Sequence, residues 1–290
     1  MREAWPPALA SGLAGRLEEA RLPSPALGRD LHYLAYLPAG YTAAGRRYPL
    51  LLLLHGRGGR MEDWARIAPD LDDLIAAGWL PPLVAIAPDD PGPDRAGYWV
   101  DSAYTGLALE TACVAELLPH AAARFYTHTT RAGRAVAGYS MGGYGALRYA
   151  LVYPELFSAA IVLSPAVYVP EPPAGSSTRA FGAFGRGGEP FDPARYAALN
   201  YPALVDSFTA RGLGLRLFLA AGDGEYRHPD PAEAEHDLDF ETHRVFNRLA
   251  RVPGVHASLR VLGGGHGWDV WTPAFREGAA AVLGALTPPE

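Results

Sequence analysis

The chain has 290 residues, 49% hydrophobic and 19% charged, with a net charge of −6, which suits a globular domain with a large core and disfavours nucleic acid or an anionic membrane as partner. All 25 basic residues are arginine, which excludes Schiff-base and pyridoxal chemistry, a phosphate-loop lysine and the lysine-assisted serine hydrolases. One cysteine permits no intrachain disulfide, no apolar run is long enough to span a membrane, and Met1 to Pro7 show no secretory pattern, so a cytoplasmic chain is expected.

In chain order, Leu13–Leu22 and Leu31–Leu37 read as antiparallel strands separated by Pro23-Ser24-Pro25. Leu50–His55 and Leu83–Ala87 are continuous apolar runs suited to strands buried on both faces, with a helix from about Glu62 to Ala77 between them. The first run empties into His55-Gly56-Arg57-Gly58-Gly59, a loop that can present backbone amides, and the Arg57 N–H is a candidate oxyanion donor. After the second run, Asp89 through Ser102 offers a pocket wall, with Tyr98 and Trp99 as candidate substrate contacts. Residues 107–125 read as a helix bent by Pro119, with Cys113 as a buried thiol on its apolar pattern.

Ala135–Tyr139 is a short apolar strand that ends in Gly138-Tyr139-Ser140-Met141-Gly142, and a helical pattern follows to about Val152. Strand before and helix after distinguish this Gly-x-Ser-x-Gly from a glycine-rich turn and suit a nucleophile elbow. The glycines let the backbone turn tightly and raise Ser140 above the sheet edge, and the helix beginning at Met141 directs its unpaired amides to the same point. Ser140 is thus a candidate nucleophile and Met141 N–H a second oxyanion donor.

Ala159–Leu163 follows as a strand, and then residues 165–210, rich in proline and glycine, break the rhythm. Such a length forms an excursion over the site or packs on the body, and Phe181, Phe184, Phe191, Tyr196 and Tyr201 suit either use. Leu215–Ala220 is the next strand, and its loop Gly222-Asp223-Gly224-Glu225 offers two carboxylates, either able to orient an imidazole. Residues near 233–250 and 274–286 are the late helices. Between them Ala257–Leu262 closes a strand before Gly263-Gly264-Gly265-His266-Gly267-Trp268. His266 lies 126 residues after Ser140 (266 − 140), in the order nucleophile, acid, histidine. Trp64 and Trp268, beside the oxyanion loop and the histidine, are further candidate substrate contacts. His228, His236 and His243 with Asp230, Asp237 and Asp239 are too irregularly spaced for a metal site, and no metal or cofactor is expected.

Strands alternating with helices predict an α/β fold: a mostly parallel sheet covered on both faces, read as one domain over 1–290. Tyr36-Leu37-Pro38 with Gly40-Tyr41, Leu54-His55-Gly56-x-Gly58-Gly59 with Trp64, Gly138-Tyr139-Ser140-Met141-Gly142-Gly143 and Gly263-Gly264-x-His266-x-Trp268 together resemble an esterase family of α/β-hydrolases. That family includes esterase D, feruloyl and acetyl-xylan esterases and the mycolyltransferase branch, and the resemblance covers roughly residues 30–285. Its acid usually stands in a Gly-x-x-Asp pattern, which falls on Glu225 here; the resemblance implies Glu225 with an Asp-to-Glu departure, and Asp223 is the alternative.

The expected activity is therefore serine carboxylesterase action on short-chain acyl esters, a small-molecule substrate. Acyl transfer and feruloyl or acetyl-xylan ester hydrolysis are alternatives on the same machinery, and a non-catalytic binding protein would be expected to have lost Ser140 or His266. Monomer and homodimer are both open. The absence of glutamine, with only Asn200 and Asn247 as asparagines and 27 prolines, predicts heat tolerance.

Overall fold

The computed structural model describes residues 12–43, 45–227 and 237–288. Its strands are β1 (Arg16–Ser24), β2 (Arg29–Leu37), β3 (Leu50–Leu54), β4 (Val84–Pro88), β5 (Asp101–Ser102), β6 (Leu107–Ala108), β7 (Arg134–Tyr139), β8 (Ala159–Leu163), β9 (Leu215–Gly222) and β10 (Val255–Leu262). Eight of them form one sheet in the order β1-β2-β4-β3-β7-β8-β9-β10, and β5 pairs with β6 apart from it. β2 runs antiparallel to β1 and β4; every other pairing in the large sheet is parallel.

The apolar runs dictate this arrangement. Successive side chains of a strand point to opposite faces, and in β3 Leu50, Leu52 and Leu54 enter one core while Leu51 and Leu53 enter the other. A strand with no polar alternation is stable only between two covering layers. Helices α1 (Ala68–Ala76) and α8 (Trp268–Val282) supply Leu71, Ala274 and Phe275 to one layer. The other layer holds α4 (Met141–Val152), α6 (Tyr201–Ala210) and α7 (Leu238–Leu249), with Leu147, Val205 and Val245 buried beneath them.

Several boundaries differ from the sequence expectation, each for a local reason. β1 runs through Pro23, which lies opposite Asp30, and the turn falls at 25–28 with Gly28 at φ 64°. Proline is tolerated there because β1 is an edge strand and needs no amide on its outer side. The helical stretch around Pro119 consists of α2 (Leu109–Thr111), a π-helical segment Ala112–Leu117 and α3 (Leu118–Arg124). Proline therefore sits in the first turn of α3, just after a wide turn that relieves its ring. The last helix starts at Trp268 rather than near residue 274, with Pro273 inside it. Val270, Trp271, Ala274 and Phe275 are all buried on its inner face, and that burial outweighs one lost backbone bond.

The 165–210 excursion is ordered by α5 (Pro193–Leu199), α6 and a short 3-10 turn, Ser177–Arg179. Phe184 and Tyr196 are completely buried. Phe184 stands 5.0 Å from Tyr98 and 4.9 Å from Tyr196 between ring centroids. The aromatic rings of the excursion thus mainly fix it to the body, while Ala166, Tyr168 and Ser177 line the cavity described below. Arg148 of α4 ties the parts together: its guanidinium donates to both Glu110 carboxylate oxygens, at 2.9 and 3.1 Å, and to the Leu199 carbonyl at 3.0 Å.

Candidate active site

The β7–α4 junction places Ser140 at φ 54°, ψ −122°, a conformation costly for a residue with a side chain and found where surrounding packing enforces it. The flanking glycines show what enforces it. A Cβ on Gly138 would lie 2.0 Å from the Gly142 carbonyl oxygen, and one on Gly142 would lie 1.9 Å from that of Leu54. The Ser140 amide donates to the Leu163 carbonyl at 2.8 Å, and the Ser140 carbonyl accepts from the amides of Ala166 and Tyr144.

His266 Nε2 lies 2.8 Å from Ser140 Oγ, and His266 Nδ1 lies 2.6 Å from Glu225 Oε2. A carboxylate only accepts, so Nδ1 carries the ring proton and Nε2 is left to accept from the serine hydroxyl. The Glu225 side chain is fully buried. Burial alone would raise its pKa, but the hydrogen bond and charge of His266, with donors from Ser164 and the Gly222 amide, bring the carboxyl below its ordinary value. Asp223, the other candidate acid, is exposed and accepts from the Gly264 amide at 3.0 Å. The structure therefore brings Glu225, not Asp223, to the imidazole; Asp223 instead braces the glycine loop that carries His266.

Ser140 and His266 open onto a cavity of about 100 Å³ whose wall includes Gly56, Arg57, Tyr98, Tyr139, Ala166, Tyr168, Ser177, Leu238 and Trp271. Met141, fully buried, opens α4, where a first-turn amide has no acceptor within its own helix. The loop that follows β3 is held from behind. His55 Nδ1 lies 2.8 Å from the Gly56 carbonyl oxygen, and His55 Nε2 accepts from the Asp90 amide at 3.0 Å. A trans peptide points its C=O and N–H in opposite directions, so fixing the Gly56 carbonyl also fixes the direction of the Arg57 N–H. The Asp90 carboxyl is raised by burial, against the lowering effect of His55 and of the Gly92 and Gly97 amides.

Of the four aromatic residues expected at the pocket, the structure places Tyr98 on the cavity wall, with its hydroxyl 2.5 Å from Thr178 Oγ1. The other three are corrections. Trp99 is completely buried and donates from Nε1 to the His55 carbonyl at 3.1 Å, so it supports the loop after β3 from inside the core. Trp64 is 2% exposed and packs against Tyr139, Trp268 and Phe275. Trp268 stands edge-on to Trp64 and beneath the Arg66 guanidinium, 5.6 Å from its centroid. Sequence proximity to a motif did not reveal which way these rings face. Tyr139, Ala166, Tyr168, Ser177, Leu238 and Trp271 were not expected. Tyr139, next to Ser140, and Trp271, one turn into the helix after His266, could have been suspected from position alone.

His228, Asp230 and His236 of the acidic, histidine-bearing stretch lie outside the described residues. His243 Nδ1 lies 2.8 Å from the Asp239 carbonyl oxygen of its own helix. Among the described residues no cluster of His, Cys, Asp or Glu is arranged to hold a metal, and no helix is long and apolar enough to cross a membrane.

Comparison with known proteins agrees with the fold. The sequence profile of the family described as "Putative esterase" matches residues 24–282. The chain is similar to Esterase Rv1288 of Mycobacterium tuberculosis, 35% identical over 291 residues that cover 94% of this chain and 60% of that protein. It therefore spans about 60% of the length of the curated relatives it matches. A solved ferulic acid esterase superposes with a TM-score of 0.72 at 24% identity, covering 93% of this chain and 98% of that one. The S-formylglutathione hydrolase of Staphylococcus aureus superposes with a TM-score of 0.64 at 18% identity, covering 91% and 96%. With a profile match over most of its length and an α/β-hydrolase sheet beneath it, the chain belongs to this esterase family of hydrolases.

Proposed function

We propose that this chain is a serine carboxylesterase that cleaves short-chain acyl esters through an acyl-enzyme intermediate. The observation that carries the reading is the run of contacts from Ser140 Oγ through His266 to Glu225, at 2.8 and 2.6 Å, opening onto a cavity also lined by Arg57. His266 takes the Ser140 proton as the hydroxyl oxygen attacks the ester carbonyl carbon, and Glu225 orients the ring and stabilises the imidazolium. The carbonyl oxygen becomes an oxyanion held by the Met141 and Arg57 amides, each donor contributing about 3–4 kcal/mol to the barrier reduction. Collapse breaks the ester C–O bond, and His266 gives its proton to the leaving alcohol. Water, deprotonated by His266, then attacks the acyl carbon and releases the acid, restoring Ser140.

The decisive experiment is turnover of p-nitrophenyl acetate by the wild type and Ser140→Ala. We expect an initial nitrophenol burst with the wild type and at least about a 10³-fold fall in kcat with the variant, the fold being kept because one oxygen is lost. A variant retaining more than about a tenth of the activity points to another nucleophile. Acyl preference is expected at about two to six carbons, since the rings of Tyr98, Tyr139, Tyr168 and Trp271 bound a small cavity and a longer channel would add about 0.8 kcal/mol per buried methylene. A series of p-nitrophenyl esters from acetyl to palmitoyl, with methyl ferulate and S-formylglutathione alongside, tests this. Activity that climbs steadily with chain length rejects the short-chain preference, and a strong preference for methyl ferulate moves the assignment to the aromatic-acyl specificity named for the similar ferulic acid esterase.

A further inference from the structure

Ser164, the residue that follows β8, is completely buried and sits at φ 41°. This left-handed conformation is open to glycine and costly for serine, so the side chain is retained where the backbone would favour its removal. Its surroundings show what the hydroxyl does. Ser164 Oγ lies 2.5 Å from Glu225 Oε1 and 3.0 Å from Trp271 Nε1. An indole N–H can only donate, so Oγ accepts from Trp271 and its single proton is left for the Glu225 carboxylate. The Gly222 amide donates to the same Oε1 at 3.0 Å. With Oε1 held by two donors, Oε2 is the oxygen presented to His266. Trp271 also stands edge-on to the imidazole, 4.9 Å between centroids at 88°, so one indole contacts both the clamp and the base.

We infer that Ser164 is a positioning residue: its hydroxyl, oriented by Trp271, locks the rotation of the Glu225 carboxylate so that a single oxygen meets His266 in line. This rests on the serine-hydrolase reading above. It deepens that reading by explaining how a glutamate, with one more rotatable bond than an aspartate, keeps a fixed carboxylate. Strained conformations that persist at reactive centres do so because the surrounding structure over-determines them, and the Ala220 carbonyl, which accepts the Ser164 amide at 2.7 Å, is part of that restraint.

The test pairs Ser164→Gly with Ser164→Ala, measuring kcat and KM on p-nitrophenyl acetate, the rate of Ser140 phosphorylation by diisopropyl fluorophosphate with release of fluoride, and the melting midpoint. Glycine relieves the backbone while deleting the hydroxyl, so Ser164→Gly is expected to melt at or above the wild type and still lose about 10- to 100-fold in kcat, the scale of a hydrogen bond to a charged group. KM stays unchanged, phosphorylation slows in parallel, and Ser164→Ala shows the same kinetic loss with a lower midpoint. Trp271→Phe, which removes the N–H that orients Oγ together with part of the indole, is expected to lower kcat in the same direction by less, and its kcat bears on the clamp even if Ser164→Gly does not fold. A Ser164→Gly variant within about twofold of wild-type kcat, or one whose loss is carried by KM or by a lowered midpoint, overturns the role. So does an unchanged kcat in Trp271→Phe. Ser140→Ala run in parallel separates the two levels: if it stays active the hydrolase reading itself fails, whereas its inactivity beside a fully active Ser164→Gly rejects only the clamp.

Discussion

Glu225 and Asp223 differ by two positions and one methylene, and sequence alone left both as candidate acids. The loop geometry separates them: Glu225 is buried with both oxygens occupied by donors, whereas Asp223 faces solvent and holds the Gly264 amide. Glu225→Gln is expected to cost about 10²–10⁴-fold in kcat, because the amide no longer supplies the charge that stabilises the imidazolium. Asp223→Asn keeps an acceptor for the Gly264 amide and should cost far less; steady-state kinetics of the two variants that ranked them the other way would reassign the role. At this scale, residues whose chemistry and backbone demands coincide could be read from sequence, as with Ser140 between glycines and His266 in a glycine loop. Rings could not. Trp64, Trp99 and Trp268 sit beside the expected motifs, yet their direction depends on the strands and helices packed against them. Ser164 was invisible for the same reason: it acquires its partners from β9 and α8, distant in sequence.

Between elements, the buried Arg148–Glu110 pair joins α4, which carries the elbow, to α2 and to the carbonyl that ends α5. Tyr153 adds a third donor to the same carboxylate at 2.7 Å. Removing one member of a buried ion pair leaves an uncompensated charge, and Glu110→Ala is expected to cost about 3–5 kcal/mol of unfolding free energy in denaturant titration. A loss below about 1 kcal/mol would mean that water screens Arg148 and that the pair is not what holds the excursion to α4. The elements themselves were largely legible, since β3, β4 and β8 are uninterrupted apolar runs, and β7 and β9 are apolar apart from Arg134 and Arg216 near their starts, a pattern that suits a doubly covered sheet. What misled was proline. Pro23 and Pro273 stand where boundaries were expected and Pro119 where a bend was, and each is absorbed, by a sheet edge, a well-buried helix face or a π-helical turn.

The composition of the whole chain bears on stability rather than chemistry. It lacks glutamine and lysine, has two asparagines, Asn200 and Asn247, and one cysteine, and carries 27 prolines. Proline at a compatible site lowers the entropy of the unfolded chain by about 0.4–1 kcal/mol. Asn200 is itself buried, with its side chain donating to the Tyr168 carbonyl at 2.8 Å, which shields one of the two amides from hydrolysis. Among the described residues, arginine supplies every ion pair of a basic side chain on the surface, including Arg276 with Asp70 and Asp73 of α1 at 2.6 and 3.3 Å. Single exposed pairs contribute little at room temperature, but the desolvation penalty of charged groups falls as temperature rises. These features together predict a melting midpoint above the mesophile range of about 45–65 °C. A GC-rich genome would by itself exchange lysine for arginine and thin out asparagine, but it would not by itself remove glutamine. A thermal melt of the purified protein separates the two: a midpoint inside the mesophile range would leave codon usage as the whole origin of the composition, and one well above it would tie the missing amides and added prolines to function at high temperature.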